Sequence, residues 1–90
     1  MNERNLMIIR EILRHLDGLE GGQAEEPLIH AAAQHGMCRQ GREAPSLAEF
    51  EGCLHYCDEH KWVRGLPARI TGRMKWALQD LGKDALQELN

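Results

Sequence analysis

A change of hydrophobic period along the chain restricts its fold more than any other feature. Apolar residues recur at helical spacing up to about residue 60, then follow a strand-like alternation between residues 62 and 78. A chain ordered in this way is mainly α with a small β-hairpin near its C-terminal end. The first helix is expected over residues 3–17, where Leu6, Ile9, Leu13 and Leu16 stand at i, i+3, i+7 and i+10 and Ile8 and Ile12 widen the stripe. Gly18, Gly21 and Gly22 end it, and residues 19–24 form a connection with room for a very short strand.

Glu25, Glu26 and Pro27 open a second helix, because proline suits the first helical turn and acids complement the positive end of the helix dipole. It is expected from Leu28 to His35, with Ala31, Ala32 and Ala33 admitting a close neighbour and Gly36 as the stop. Residues 37–45, MCRQGREAP, show no period and read as a loop. Ser46-Leu47-Ala48-Glu49 is a capping box that starts a third helix, ending near His60, with Leu47, Phe50, Leu54 and Cys57 as its buried stripe. At about 100° per residue, Ala48, Glu51, Gly52, His55 and Glu59 fall on the opposite, acidic face. Trp62–Arg64 and Met74–Leu78 read as the strands of a hairpin with Gly65, Pro67 and Gly72 as turn residues. Asp80 is the expected N-cap of a last short helix carrying Leu81, Ala85, Leu86 and Leu89. Gly82 weakens that helix by roughly 1 kcal/mol relative to alanine, so it must dock to persist.

Ninety residues at 42% hydrophobic, with one Phe, one Tyr and two Trp, are expected to form a single domain over residues 1–90. Its stability must come from aliphatic and alanine packing or from self-association. The apolar runs Leu6–Ile9 and Ala31–Ala33 fall far short of the roughly 20 residues of a membrane span. Glu3, Arg4, Arg10, Glu11 and Arg14 interrupt what would be a secretory signal's apolar region, which gives the expectation of a cytoplasmic protein.

Three cysteines cannot all pair within one chain, which fits a reducing compartment. Cys53, Cys57 and His60 share one helical stripe at metal-ligand spacing, and Cys38 or His35 could complete a set. The same stripe flanks Phe50 and Leu54 and lacks paired C-x-x-C knuckles, so these cysteines are expected to pack in the core, with no metal or cofactor. No phosphate loop or H-E-x-x-H helix is present. The single serine is explained as a cap, and a pairing of Cys53 or Cys57 with His55 or His60 would use buried, inert thiols, so no enzyme is expected. His15 and His30 occupy surface or boundary positions of the first two helices.

The net charge of −3 argues against coating nucleic acid through bulk charge. Between residues 61 and 79, however, Lys61, Arg64, Arg69, Arg73 and Lys75 occur with no acid, leaving −8 on the rest of the chain. Such a segment is either a solvated hairpin whose charges guard an edge strand or a phosphate-facing patch.

The segments SLAEFEGCLHYCDEHKWV and MKWALQDLGKDALQEL, in this order of elements, resemble the third helix, wing and closing strand of winged-helix (winged helix-turn-helix) domains. Leu78, Gln79-Asp80 and Leu81-Gly82 are similar to the family's aliphatic residue, polar pair and leucine-glycine after the second wing strand. The resemblance spans nearly the whole chain through patterns and not through an identifying signature. It implies a three-helix domain with a C-terminal wing and a short closing helix, binding DNA as a transcription regulator-like module. Arg64, Arg69, Arg73 and Lys75 on the wing, with Arg39 and Arg42 in the loop, are then the expected phosphate contacts.

Two features depart from that pattern. Glu51 and Glu59, with Asp58 beside them, put carboxylates on the face that would enter the groove, and residues 37–45 exceed the usual turn of about 3 to 4 residues. The alternative is a protein-interaction module of the same fold. There the Glu51, His55, Glu59 face, or a Leu81, Leu86, Leu89 stripe, meets a protein partner or a second copy.

Overall fold

A computed structural model describes residues 2–67 and 72–90. Four helices and three strands follow in the order α1 (Glu3–Asp17), β1 (Gln23–Glu25), α2 (Glu26–Arg39), α3 (Leu47–Glu59), β2 (Val63–Pro67), β3 (Met74–Leu78) and α4 (Asp80–Leu89). The protein is thus mainly helical with a small antiparallel sheet of order β1-β3-β2.

α1 starts because the Asn2 side chain accepts the Asn5 N–H at 2.7 Å, satisfying one of the amides a helix start leaves open. Its stripe of Ile8, Ile9, Ile12, Leu13 and Leu16 is fully buried and forms the centre of one core cluster that α2, α3, α4 and the sheet cover. α4 docks on α1 through Ala85 and Leu86, as its weak intrinsic propensity requires.

α2 is longer than its sequence suggests. Gly36 lies inside it, buried, and does not stop it; a Cβ there would overlap the Glu11 carboxylate. That carboxylate is only 4% exposed and accepts from Gln40 Nε2 at 3.0 Å and from Arg14 Nη1 at 3.3 Å. The helix ends instead at Gly41, whose φ of 73° suits glycine. Its N–H donates to the Cys38 carbonyl, and the next N–H, of Arg42, donates to Met37, which together make a Schellman cap. The connection to α3 is therefore shorter than residues 37–45, and Arg39 belongs to the last turn of α2.

The capping box at Ser46 forms as expected: Ser46 Oγ accepts the Glu49 N–H at 3.1 Å and Glu49 Oε1 accepts the Ser46 N–H at 3.2 Å. The buried stripe of α3 begins one turn later than expected. Phe50, Cys53, Leu54 and Cys57 face the core, while Leu47, the first helical residue, stays 55% exposed. Gly65 and Pro67, expected in the turn, lie within β2, where the Trp76 ring sits over Gly65. The N-cap of α4 is Gln79, with Asp80 its first residue, because the Gln79 N–H is held by the Trp62 carbonyl as the chain leaves the sheet. Leu81 is consequently turned outward at 54% exposure.

Glu49 also locks α3 onto the start of α1. Arg4 Nε and Nη2 donate to its two carboxylate oxygens at 2.7 and 3.0 Å. The Arg4 guanidinium, with the Ser46 N–H second, holds this carboxyl at about 2, below its ordinary value of 4.5. A lowered folded-state value means the contribution is fully present above pH 4.5 and is lost as pH falls from 4.5 through 2. Glu49→Gln is expected to flatten the pH dependence of the urea midpoint in that window; a slope equal to wild type would refute the assignment.

Candidate nucleic-acid interface

Strand register decides which hairpin residues share a face. Arg64 pairs with Ala77 and Leu66 with Lys75 across β2 and β3, while Gln23 pairs with Ala77 and Glu25 with Lys75 across β1 and β3. Alternation along each strand therefore places Arg64, Lys75, Gln23 and Glu25 on one side of the sheet. Val63, Trp76, Leu78 and Ala24 fall on the other and join the core. Arg64 and Lys75 are exposed on the outer side, and neither has an ion-pair partner among the described residues. Arg73, just before β3, donates through Nη1 to Glu25 Oε2 at 3.4 Å. Arg69 lies outside the described residues.

The cations expected on the loop do not join this group. α2 leaves the sheet at Glu26 and carries Arg39 to its far end, roughly 20 Å along the helix axis. There Arg39 lines a groove between α1 and α2 with Glu11, Arg14, His15 and His35, and exposed Arg42 follows at the same end. The grouping of Arg14 and His35 with Arg39 had no local signal in the sequence, since it depends on how α1 and α2 pack.

Ala48, Glu51, Gly52, His55 and Glu59 are all exposed on α3, as their spacing requires. His55 Nε2 and Glu59 Oε1 approach to 2.8 Å one turn apart. α3 contains no lysine or arginine, so apart from the His55–Glu59 contact nothing on the helix itself offsets its carboxylates. Asp58 turns toward the sheet and lines a cleft with Lys61 and Arg64. Lys61 has a φ of 60°, taking the position in the α3 cap that Gly41 takes after α2. In the Leu81, Leu86, Leu89 stripe, Leu86 is 5% exposed and Leu89 packs against the core, so neither is an open surface, while Leu81 stands 54% exposed.

Of the Cys/His stripe, Cys53 and Cys57 pack in the core, whereas His60 is exposed. Cys53 and Cys57 are buried, Cys38 is exposed on α2, and the His60 ring lies 4.1 Å from Tyr56 and 5.2 Å from Trp62, centroid to centroid. Among the described residues no group of three or more His, Cys, Asp or Glu side chains is placed to hold a metal ion. Burial pushes the Cys53 thiol up to about 11 and the Cys57 thiol up to about 12. A thiol reagent at pH 8 is therefore expected to label one cysteine of the folded protein quickly, Cys38, and all three after unfolding. Rapid native labelling of a second thiol would contradict the packing.

Among the described residues no helix is long and apolar enough to cross a membrane. No family model matches the chain, and a search of curated proteins finds no match.

Proposed function

We propose that this chain is a small, non-enzymatic winged-helix module that binds duplex DNA as a transcription regulator-like protein, with phosphates meeting the outer side of its sheet. The order helix, strand, helix, helix, hairpin, with β3 between β1 and β2, supports the winged-helix reading. The observation that carries the binding mode is the exposure of Arg64 and Lys75, without an ion-pair partner among the described residues, on one side of that sheet, in a sequence segment that also carries Arg69 and Arg73. A cation that is not held in an ion pair can release condensed counterions when it meets a phosphate, which is the main source of sequence-independent affinity. The acidic outer face of α3 is repelled by phosphates, so the sheet and hairpin make the backbone contacts and α3 stays clear of the groove.

The test is anisotropy of a labelled random-sequence duplex with the full chain over a salt series. Wild type is expected to lose affinity steeply as salt rises, and the Arg64→Ala/Lys75→Ala double variant to show a log–log slope smaller by about 2, roughly one per phosphate contact. Absence of binding at low salt, or a double variant indistinguishable from wild type, would overturn the reading.

A second reading rests on α3 itself, whose exposed Glu51 and Glu59 with His55 suit a basic protein surface. If that face docks a partner or a second copy, Glu51→Lys/Glu59→Lys abolishes the association and leaves duplex binding intact.

A further inference from the structure

We propose that the groove where α1, β1 and α2 meet the sheet binds a free amphipathic carboxylate, a short apolar chain ending in a carboxylate group. The groove has a volume of about 510 Å³, inside the range of roughly 300 to 1,000 Å³ typical of small-ligand sites. Leu19, Ala24 and Leu28 supply its apolar lining, and Leu28, in the first turn of α2, is left 61% exposed by the described residues. An apolar tail laid along these side chains removes its own surface and that of Leu28 from water.

Charge selects the head group. Lys75 reaches the groove from β3 and has no ion-pair partner among the described residues, while His15 lines it from α1. The one acid in the lining, Glu25, stands opposite Lys75 in the strand register but gives its Oε2 to Arg73 at 3.4 Å. The local balance thus leaves one ammonium unneutralised beside an apolar surface, which fits a ligand with one negative charge and a hydrocarbon body.

Lys75 also belongs to the sheet face assigned to phosphates, so one consequence rests on the DNA reading: a bound carboxylate neutralises Lys75 and weakens duplex binding. The inference that the groove takes a ligand stands without it.

The experiment is a titration of the ¹⁵N-labelled full chain with sodium octanoate, followed by amide shifts. Saturable shifts are expected at Leu19, Ala24, Leu28 and Lys75, with a Kd on the order of millimolar for a ligand of this size. Lys75→Ala raises that Kd several-fold, and octylamine, with the same chain and the opposite charge, binds more weakly than octanoate. Leu28→Asp, at an exposed position that tolerates a polar side chain, removes the saturable shifts. The proposal is overturned if octanoate gives no saturable shift at these amides, if octylamine binds as well as octanoate, or if Leu28→Asp binds as wild type does. In the anisotropy assay, saturating octanoate is expected to lower duplex affinity several-fold in wild type and not in Lys75→Ala; unchanged affinity in wild type refutes the competition. Should the duplex fail to bind at all, the DNA reading falls while the octanoate titration still decides the groove.

Discussion

Gly82→Ala is expected to destabilise the protein by about 3 kcal/mol, although the same change in an isolated helix would be favourable by about 1 kcal/mol. Gly82 lies in the first turn of α4, and a Cβ built there would overlap the carbonyl oxygen of Trp62 and come within 2.7 Å of Leu78 Cδ1. The carbonyl is backbone held in place, since Trp62 O accepts the Gln79 N–H at 2.9 Å and the Trp62 N–H donates to Cys57 O. It cannot swing aside as a side-chain terminus could, so α4 must lift from the junction between α3 and the sheet. Urea denaturation would show a lower midpoint with an unchanged slope. Gly52→Ala is the matched control: that glycine is exposed in α3 with nothing within 4 Å of its added Cβ, and the substitution is expected to stabilise by up to about 1 kcal/mol. Equal effects at the two positions would show that propensity, and not the close approach, governs Gly82.

Phe50→Ala is expected to cost about 4 kcal/mol, a large part of the roughly 5 to 15 kcal/mol that holds a natural domain folded. Phe50 is the one phenylalanine, fully buried, and it ties together three parts of the molecule. It points from α3 into the core, and the His30 ring of α2 stacks on it at 4.7 Å and 25°. His30 Nε2 in turn donates to the Pro45 carbonyl at 3.2 Å, so the same stack steadies the connection before Ser46. Removing the ring leaves a cavity at the point where α2, α3 and their connection converge, and the melting midpoint should fall by roughly 20 °C. Phe50→Leu, which keeps most of the volume, is expected to cost about 1.5 kcal/mol. A small loss for Phe50→Ala would mean that the α2 and α3 contact can collapse to fill the space.

These two positions also show where sequence reasoning succeeds and where it stops. The helical period through Leu6, Ile9, Leu13 and Leu16, the capping box at Ser46, and the alternation in Met74–Leu78 are local signals, and each produced the element it announced. The exposed acidic face of α3 was equally legible, because 3.6 residues per turn sets which side chains lie opposite Phe50 and Leu54. Choosing between two glycines was not local. Gly36 reads as the helix stop and Gly41 as part of the loop; the Glu11 carboxylate resting against Gly36 makes the first a packing residue, and the positive φ of Gly41 makes the second the true end. A stop at Gly36 puts Arg39 in the loop with Arg42, whereas the longer helix carries it to Arg14 and His35.

The candidate site divides in the same way. Its basic composition between Lys61 and Lys75 is written in the sequence, as is the absence of lysine and arginine from α3. Which cations share a surface was decided by the pairing of β1 with β3, which brings Glu25 from fifty residues earlier in the chain opposite Lys75 and, through Arg73, occupies that carboxylate. The apolar groove beside Leu28 likewise exists only because α1, β1 and α2 converge there. By itself, the sequence determined the elements and the charge each one carries, because period, caps and composition act over a few residues. Tertiary structure alone decided which charges stand unpaired on a common face, because that depends on strand register and helix packing between residues far apart along the chain.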